Sequence, residues 1–180
     1  KIMTSGLKMA IRVILWALAN RLPHPRARAI ALRWLGANIG KNVRIHPCRL
    51  INFESGFSHL RVGNDVYIGA DVLLDLAGPL EIHERATISA RSCLITHHDP
   101  GASHNNALAR VFPPSKKGCQ VEADAWIGIG VIVLEGCKVG CRSVVGAGAV
   151  VTHSLPSDTA CIGIPARAIR RLTTESSGED

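Results

Sequence analysis

The sequence predicts an all-β protein: a parallel β-helix of hexapeptide repeats, preceded by a helical arm and followed by a short C-terminal helix. Two observations predict the coil: a six-residue repeat without a break in the C-terminal half, and the same repeat with breaks in the N-terminal half. Composition is the third observation, because only 4% of the 180 residues are aromatic while Val, Ile, Leu, Ala and Gly are abundant. Such side chains fit the narrow interior of a β-helix, and the length is that of one domain.

Six consecutive hexads run from Val121 to Pro156. Each begins with an aliphatic residue, and its second position is usually Gly or another small residue. The opening residues are Val121, Ile127, Val133, Val139, Val145 and Val151. In a β-helix of this kind each hexad forms one face of a triangular coil, so three hexads make a turn of about 18 residues. We therefore expect the opening side chains to stack inside the coil.

The same period occurs earlier in the chain, where nine further hexads can be counted. They open at Ile39, Ile45, Ile51, Val62, Ile68, Leu74, Ile82, Ile88 and Leu94. Fifteen hexads predict roughly five turns, enough for a continuous stacked core. The repeat is broken at Glu54–Arg61 and again at Pro100–Gln120. A long aperiodic stretch inside so regular a chain is typical of a functional loop.

These patterns divide the chain into three segments. We expect a basic amphipathic helical arm over residues 1–35 and the β-helix over residues 36–164, with a long loop at 100–120. A C-terminal helix and tail are expected over residues 165–180.

Charge and apolar spacing set the arm apart from the coil. All 14 acidic residues lie at or after Glu54, whereas the stretch from Lys1 to Arg49 contains ten of the 21 basic residues. Pro25 is placed to open a second helix that ends before Gly36. Two interpretations stay open: a pair of helices that cap the end of the coil, or a basic helix that lies on a membrane surface. Apolar residues recur at helical spacing in the first helix, at Leu7, Ile11, Ile14, Leu15, Leu18 and Leu22.

Several classes of protein fit this chain poorly. The apolar run Val13–Ala19 is far shorter than the roughly 20 residues of a membrane span. No small-residue cleavage site follows this run, so a cleaved signal peptide is not expected. No nucleic-acid recognition motif accompanies the basic arm, so no nucleic-acid partner is expected. Free thiols without a secretion signal predict a cytoplasmic protein, held at the inner membrane surface if the arm lies on a membrane. The six cysteines lack C-x-x-C spacing and are interpreted as apolar filler: Cys48, Cys93, Cys119, Cys137, Cys141 and Cys161.

Three segments carry a family resemblance: the hexads, the stretch 88–100, and the C-terminal stretch Gly146–Pro156 followed by Gly163–Arg170. Over roughly residues 35–171 the chain resembles the hexapeptide-repeat acyltransferases, in the sugar and polysaccharide O-acetyltransferase branch that includes galactoside and maltose acetyltransferases. The resemblance implies a left-handed coil, although parallel crossovers are normally right-handed. It also implies a homotrimer that binds acetyl-CoA in a groove between two subunits and uses no metal.

His97 and His98 lie where the coil leaves for the long loop, just before Asp99. A neutral imidazole can remove a hydroxyl proton near neutral pH. From the residues alone, a catalytic base and an ordinary surface turn both stay open. The resemblance places the general base here and favours His98, which directly precedes Asp99. His97 stays an alternative, because the segment is one residue shorter than in several relatives. The reaction implied is direct transfer, without an acyl-enzyme.

Two carboxylates and a set of cofactor residues complete the predicted site. By its resemblance to an acidic position of the family's acceptor pocket, Asp75 is expected either to orient the imidazole or to bind the acceptor, and Asp71 is the weaker candidate. For both, an ordinary solvated carboxylate stays open. His153 stands where many relatives have Lys, so the phosphate charge would fall more on the arginines, including Arg171. By resemblance, the residues that contact acetyl-CoA are Ile129, Ala147, Gly148, Thr152, His153, Arg167 and Arg170.

The predicted function is acetyl-CoA-dependent transfer of an acetyl group to a hydroxyl of a sugar, a glycan or a related small molecule. Two alternatives on the same coil are a noncatalytic interaction subunit and a metalloenzyme resembling the γ-carbonic anhydrases. Zinc in the second needs three converging histidines. The spacing typical of that family is missing, although four histidines could be assembled on paper: His83, His97, His98 and His104.

Overall fold

The computed structural model describes residues 2–54 and 56–172, with residues 2–6, 8 and 9 described by their backbone alone. Two helices come first, α1 (Ile2–Asn20) and α2 (Pro25–Trp34). Pro25 is the first residue of α2, as its sequence predicts, and the side chain of His24 caps the helix by accepting the backbone N–H of Arg26. No helix of the described segments is long and apolar enough to cross a bilayer.

The rest of the chain winds into a parallel β-helix with three faces, here called sheets A, B and C. Sheet A contains β1 (Asn38–Ile39), β4 (Leu60–Val62), β7 (Leu80–Ile82), β10 (Cys119–Val121) and β13 (Lys138–Val139). Sheet B contains β2 (Arg44–Ile45), β5 (Tyr67–Ile68), β8 (Thr87–Ile88), β11 (Trp126–Ile127), β14 (Val144–Val145), β16 (Thr159–Ile162) and the antiparallel β17 (Arg167–Arg171). Sheet C contains β3 (Arg49–Ile51), β6 (Leu73–Asp75), β9 (Cys93–Leu94), β12 (Ile132–Val133) and β15 (Val150–Val151).

The hexad-opening residues stack in register and form the core. In sheet B the column is Ile45, Ile68, Ile88, Ile127 and Val145, and all five are fully buried. The predicted opening of the third hexad at Ile51 is wrong by one position, because Leu50 pairs with Leu74 and points into the core. The corner before it is one residue shorter, and there the side chain of Asn20 bonds both the carbonyl and the N–H of Cys48.

The two helices cover the N-terminal end of the coil. Leu32 is fully buried, and Trp16 is nearly so. Arg28 is also buried, and its guanidinium donates to the carbonyl oxygens of Asn20 and Ile45, so the buried charge has hydrogen-bond acceptors. These contacts make the helices a cap over the first coil.

The expected C-terminal helix is wrong for the described residues. Arg167–Arg171 forms strand β17, which pairs antiparallel with β16, the last of the parallel strands of sheet B. Without a neighbour, β16 would be an edge strand with unpaired N–H and C=O groups, and β17 supplies partners for them. Residues 173–180, which the prediction included in the helix and tail, lie outside the described residues.

Candidate active site

The two histidines lie at the corner where the chain passes from sheet C to sheet A, here called the C–A corner. The long loop leaves from this corner of the third coil, directly after β9. It ends two residues earlier than predicted, because Cys119 and Gln120 already belong to β10. The backbones of His98 and Ser115 exchange two hydrogen bonds of 3.0 Å, which close the neck of the loop.

His97 contacts a carboxylate of the preceding coil. Its Nδ1 lies 2.5 Å from Oδ2 of Asp75, which is fully buried at the end of β6. Asp75 accepts four further hydrogen bonds, from the side chain of Asn52, from the backbone and hydroxyl of Thr96, and from the backbone of Ala77. The acceptor capacity of this carboxylate is thus filled from several sides, and the carboxylate is held in one orientation.

The charge of Asp75 determines which nitrogen of His97 is basic. Burial raises the pKa of Asp75, but hydrogen bonds together lower this pKa by a larger amount, and the resulting value is about 2. These bonds come from Asn52, His97, Thr96 and Ala77. Asp75 is therefore ionised near neutral pH and can only accept, so Nδ1 of His97 carries a proton. This assignment follows from the hydrogen-bond network. It leaves the lone pair of the neutral ring on Nε2, which bonds to none of the described residues.

His98 is held in a different way, at both nitrogens. Its Nδ1 lies 2.5 Å from Oε1 of Glu135, one coil further on, and its Nε2 lies 2.9 Å from the carbonyl oxygen of Pro113 in the loop. A carbonyl oxygen only accepts, so in this arrangement Nε2 of His98 donates its proton to Pro113. Nε2 of His98 therefore has no lone pair for a substrate, and the side chain ties the loop to the coil.

Glu135 is fixed by the same neck of the loop. Burial raises the pKa of Glu135, whereas hydrogen bonds from the backbone of Lys117 and from the side chains of His98 and Ser115 lower it more, so its pKa lies below the usual value.

Asp99 has a local role, since its carboxylate accepts the N–H groups of Gly101 and Ala102 at 2.8 Å and forms the first turn of the loop.

A cavity of about 350 Å³ opens in front of His97, within the usual size range of small-molecule sites. A larger cavity, about 440 Å³, lies on sheet A around Arg61 and Glu81, where charged side chains already pair with each other. We assign the site to the smaller cavity because it is lined by His97, whose imidazole is held by a carboxylate at Nδ1. The cavity is lined by Asn52, Glu54, Ala77, His97, His98, Asp99, Pro114, Ser115 and Lys116.

Asp71 is not brought to this cavity. It is exposed in a turn at the opposite edge of sheet C, the corner from sheet B to sheet C, here called the B–C corner. Its backbone has a φ of 57° and its N–H donates to the carbonyl of Pro47.

Three of the predicted cofactor residues share the B–C corner on two neighbouring coils. The N–H of Gly148 donates to the carbonyl of Ile129 at 2.9 Å, and Gly148 adopts a φ of 68° with open space beside it. The side chain of Ile129 is exposed, as is Ala147. The N–H groups of Ile129 and Ala147 donate to no acceptor of residues 2–54 or 56–172, so both can bind a ligand.

The other predicted cofactor residues lie elsewhere. Thr152 and His153 lie at the C–A corner of the fifth coil, where the Thr152 hydroxyl is 2.7 Å from Nδ1 of His153. Arg167 and Arg170 are exposed on β17, at the C-terminal end of sheet B. Within one chain, therefore, the cavity of His97 and the backbone donors of the B–C corner stand at opposite edges of sheet C.

Sequence reasoning missed Asn52, Thr96 and Glu135. The hexad phase could have found them, because Leu74, Leu94 and Val133 stack in one column and the residues just after them all reach the C–A corner. The four histidines considered for zinc do not converge: His83 lies beside Glu81 on sheet A, and His104 lies in the loop. Among the described residues no group of three or more His, Cys, Asp or Glu side chains is placed to hold a metal.

Two proteins similar to this chain in sequence are named as acetyltransferases. No family model matches the chain. The WcaF protein of Escherichia coli (strain K12), named as an acetyltransferase of colanic acid biosynthesis, is 36% identical over 152 residues, which are 83% of this chain and 78% of that protein. A galactoside O-acetyltransferase of Lactococcus lactis subsp. lactis (strain IL1403) is 27% identical over 158 residues, 82% of this chain and 69% of the relative.

The fold is shared with a solved structure of a hexapeptide-repeat-containing acetyltransferase from Vibrio cholerae O1 biovar eltor in complex with acetyl-CoA. The TM-score is 0.77 at 26% sequence identity, and the match covers 90% of this chain and 85% of that one. On these likenesses the protein belongs to the hexapeptide-repeat acetyltransferases and is an acyltransferase with the left-handed parallel β-helix of that family.

Proposed function

We propose that the protein transfers an acetyl group from acetyl-CoA to a hydroxyl group of a sugar, a glycan or a related small molecule, with His97 as the general base. The observation that carries the proposal is the Asp75–His97 pair, whose histidine lines a cavity of about 350 Å³ and makes no hydrogen bond through Nε2 to any described residue. The polar lining of this cavity, with carboxylate, amide, hydroxyl and ammonium groups, suits a polyhydroxylated acceptor.

The reaction follows from the protonation states. Nε2 of His97 accepts the proton of the acceptor hydroxyl while that oxygen attacks the thioester carbonyl of acetyl-CoA. The resulting imidazolium is stabilised by the negative charge of Asp75. The tetrahedral intermediate then collapses, its C–S bond breaks, and the leaving thiolate takes the proton back from Nε2. The products are the acetyl ester and CoA, and the histidine returns to its neutral form.

His97 thereby takes the role that the family resemblance favoured for His98. The reason is the second nitrogen: Nε2 of His98 is bonded to the Pro113 carbonyl, whereas Nε2 of His97 is bonded to none of the described residues. In this proposal His98 and Glu135 hold the neck of the loop, and the loop forms one wall of the acceptor cavity through Pro114, Ser115 and Lys116. Asp75 orients the base and does not bind the acceptor.

The proposed donor, acetyl-CoA, is supported by the solved relative that binds it. The free N–H groups of Ile129 and Ala147 suit the amide carbonyls of the pantetheine arm, and the exposed side chains of Arg167 and Arg170 suit its phosphates. Replacing both arginines by Ala should raise the dissociation constant of acetyl-CoA at least about tenfold, since hydrogen bonds to charged groups contribute about 1.5–3 kcal/mol each. Calorimetric titration checks this, and an unchanged affinity removes the two residues from the site.

The proposed assembly is a homotrimer with the donor between two subunits. Support comes from the separation of His97 and Ile129 at opposite edges of sheet C, because a groove between two copies places the B–C corner of one subunit beside the C–A corner of the next. Large apolar side chains also point outward from sheets B and C, among them Trp126 and Ile132. Sedimentation equilibrium should give three times the mass of the chain, and a monomer would contradict the assembly.

The proposed location is the cytoplasm, because the described cysteines are all unpaired and four of them are buried in the core. The activity itself is tested by incubating the protein with acetyl-CoA and a panel of mono- and oligosaccharides. Release of the CoA thiol that depends on the acceptor, together with an acceptor heavier by one acetyl group, supports the proposal. Tight binding of acetyl-CoA without transfer to any member of the panel, or no binding at all, would favour the noncatalytic alternative.

A further inference from the structure

Helix α1 has two opposite faces. One is turned to the protein, where Trp16 and Ala19 are buried. The other follows the i, i+3, i+4 spacing of a single helix face and carries only large aliphatic side chains in its described part. Each of these is at least 36% exposed: Leu7, Ile11, Ile14, Leu15 and Leu18, with Leu22 just after the helix. We call this set the outer face of α1.

The helix is fastened to the coil along its inner face. The side chain of Asn20 makes two hydrogen bonds to the backbone of Cys48, and a guanidinium N–H of Arg12 donates to the carbonyl oxygen of Glu54 at 2.7 Å. With its inner face packed, α1 can offer only its outer face to another surface. It would lie flat on such a surface and would not insert through it.

Charge selects the kind of surface. The chain contains no acidic residue before Glu54, while ten basic residues lie between Lys1 and Arg49. A second copy of the arm would therefore bring like charges together, whereas an anionic surface would attract them. Trp34 of α2 is 86% exposed, and an exposed Trp is common where proteins meet the headgroup region of a bilayer.

We propose that the outer face of α1 lies in the surface layer of a membrane rich in anionic phospholipids. The apolar side chains enter the boundary between headgroups and acyl chains, and the basic residues of the arm contact lipid phosphates. Two contributions therefore favour membrane binding, the burial of apolar side chains and the attraction between opposite charges, as in other amphipathic interfacial helices.

The position of α1 also bears on the acceptor, in a step that rests on the proposed function. Arg12 holds the backbone of Glu54, and Glu54 lines the cavity of His97 together with Asn52. Helix α1 therefore borders the wall of the acceptor cavity, and a membrane bound at its outer face lies about one helix diameter from that wall, roughly 10–12 Å. The acceptor class that fits this arrangement is a hydroxylated headgroup or glycan carried by a lipid, presented from the membrane surface.

The first experiment measures co-sedimentation of the full chain with vesicles. Wild-type protein should bind vesicles of mixed phosphatidylglycerol and phosphatidylcholine at least about tenfold more tightly than phosphatidylcholine alone, and high salt should weaken the binding. The variant Ile14→Ser/Leu18→Ser should lose at least about tenfold of this affinity. Both residues are more than half exposed, so the fold should be retained.

A matched control is Val13→Ser, which removes an exposed aliphatic side chain of the same helix that lies three residues before the buried Trp16 and off the outer face. It should bind vesicles like the wild type. Equal binding to both kinds of vesicle would overturn the anionic preference. Absence of wild-type binding, together with a changed mass of Ile14→Ser/Leu18→Ser in sedimentation equilibrium, would assign the outer face to a contact between copies and overturn the proposal.

A second experiment separates this inference from the proposed function. The best acceptor sugar of the panel is offered free in solution and as a long-chain alkyl glycoside in anionic vesicles. Ile14→Ser/Leu18→Ser should keep wild-type turnover on the free sugar and lose at least about tenfold on the vesicle-borne glycoside. Equal turnover of both proteins on the vesicle-borne glycoside overturns the lipid-borne acceptor. Absence of wild-type turnover on every acceptor counts against the proposed function instead, whatever the vesicle binding shows.

Discussion

His97 and His98 are neighbours in the chain, and each has a carboxylate at Nδ1, yet their surroundings differ. Asp75, the partner of His97, is fully buried and accepts hydrogen bonds from three other residues. Glu135, the partner of His98, lies at the neck of the loop, and the loop also supplies a carbonyl to the second nitrogen of His98. A histidine beside a carboxylate becomes a base only where its other nitrogen is left for the substrate. The difference between the two residues therefore lies in Nε2.

The largest effect should come from Asp75→Asn. An amide can donate to Nδ1 of His97, which moves the ring proton to Nε2 and removes the base, and it also removes the charge that stabilises the imidazolium. Turnover should fall by about 10²–10⁴-fold while acetyl-CoA still binds. Steady-state kinetics and calorimetry measure the two quantities.

Asn52→Ala is the matched control for this substitution. It removes one hydrogen bond to Asp75 but leaves the charge and the tautomer, so turnover should fall far less than in Asp75→Asn. Near-wild-type turnover in Asp75→Asn, with a normal fold by circular dichroism, would show that Asp75 does not orient the base.

A smaller effect is expected from Glu135→Gln, which weakens the bond that holds His98 and the loop. The KM for the acceptor should rise severalfold while kcat falls less than about tenfold, because the reacting groups at His97 are untouched. The loop should also be cut faster in limited proteolysis, at residues 101–113. A loss in kcat as large as that of Asp75→Asn would make Glu135 part of the catalytic pair and reverse the comparison.

The smallest effect concerns stability in acid. The pKa of Asp75 is about 2 in the folded protein, against an ordinary value of 3.8, so its ionised form stabilises the fold above about pH 4 and this contribution is lost as the pH falls toward 2. The contribution is about 2 kcal/mol. Urea unfolding at pH 6 and pH 3, at one protein concentration, should show a smaller loss of stability for Asp75→Asn than for the wild type. The same pH dependence in both proteins would contradict the buried charge.

The coil could be predicted because its cause is local. Each hexad places one aliphatic side chain inward, and the residues that open the hexads from Val121 onward are buried in register. The prediction was wrong where another part of the chain intervenes. The side chain of Asn20 in α1 forms a hydrogen bond with the backbone of Cys48, in the corner before Leu50, where the predicted register is off by one residue. Residues 167–171 form a strand that pairs with the otherwise free edge of β16.

The site was predicted only in part, for the same physical reason. The position of the two histidines beside the long loop follows from the hexad count, whereas the expectation that Asp75 lies near them came from the family resemblance. The choice between His97 and His98 does not, because it depends on the Pro113 carbonyl, which a loop of irregular structure brings to Nε2. No periodicity specifies that contact.

The measurement that tests this account most directly is the turnover of His97→Ala and of His98→Ala on one acceptor at saturating acetyl-CoA. General-base catalysis contributes about 10²–10⁴-fold, so His97→Ala should lose at least a hundredfold while His98→Ala loses less than about tenfold, with acetyl-CoA affinity retained in both. The opposite order, a severe loss in His98→Ala and a mild one in His97→Ala, would contradict the assignment of the base and would mean that the Pro113 carbonyl leaves His98 when the substrates bind.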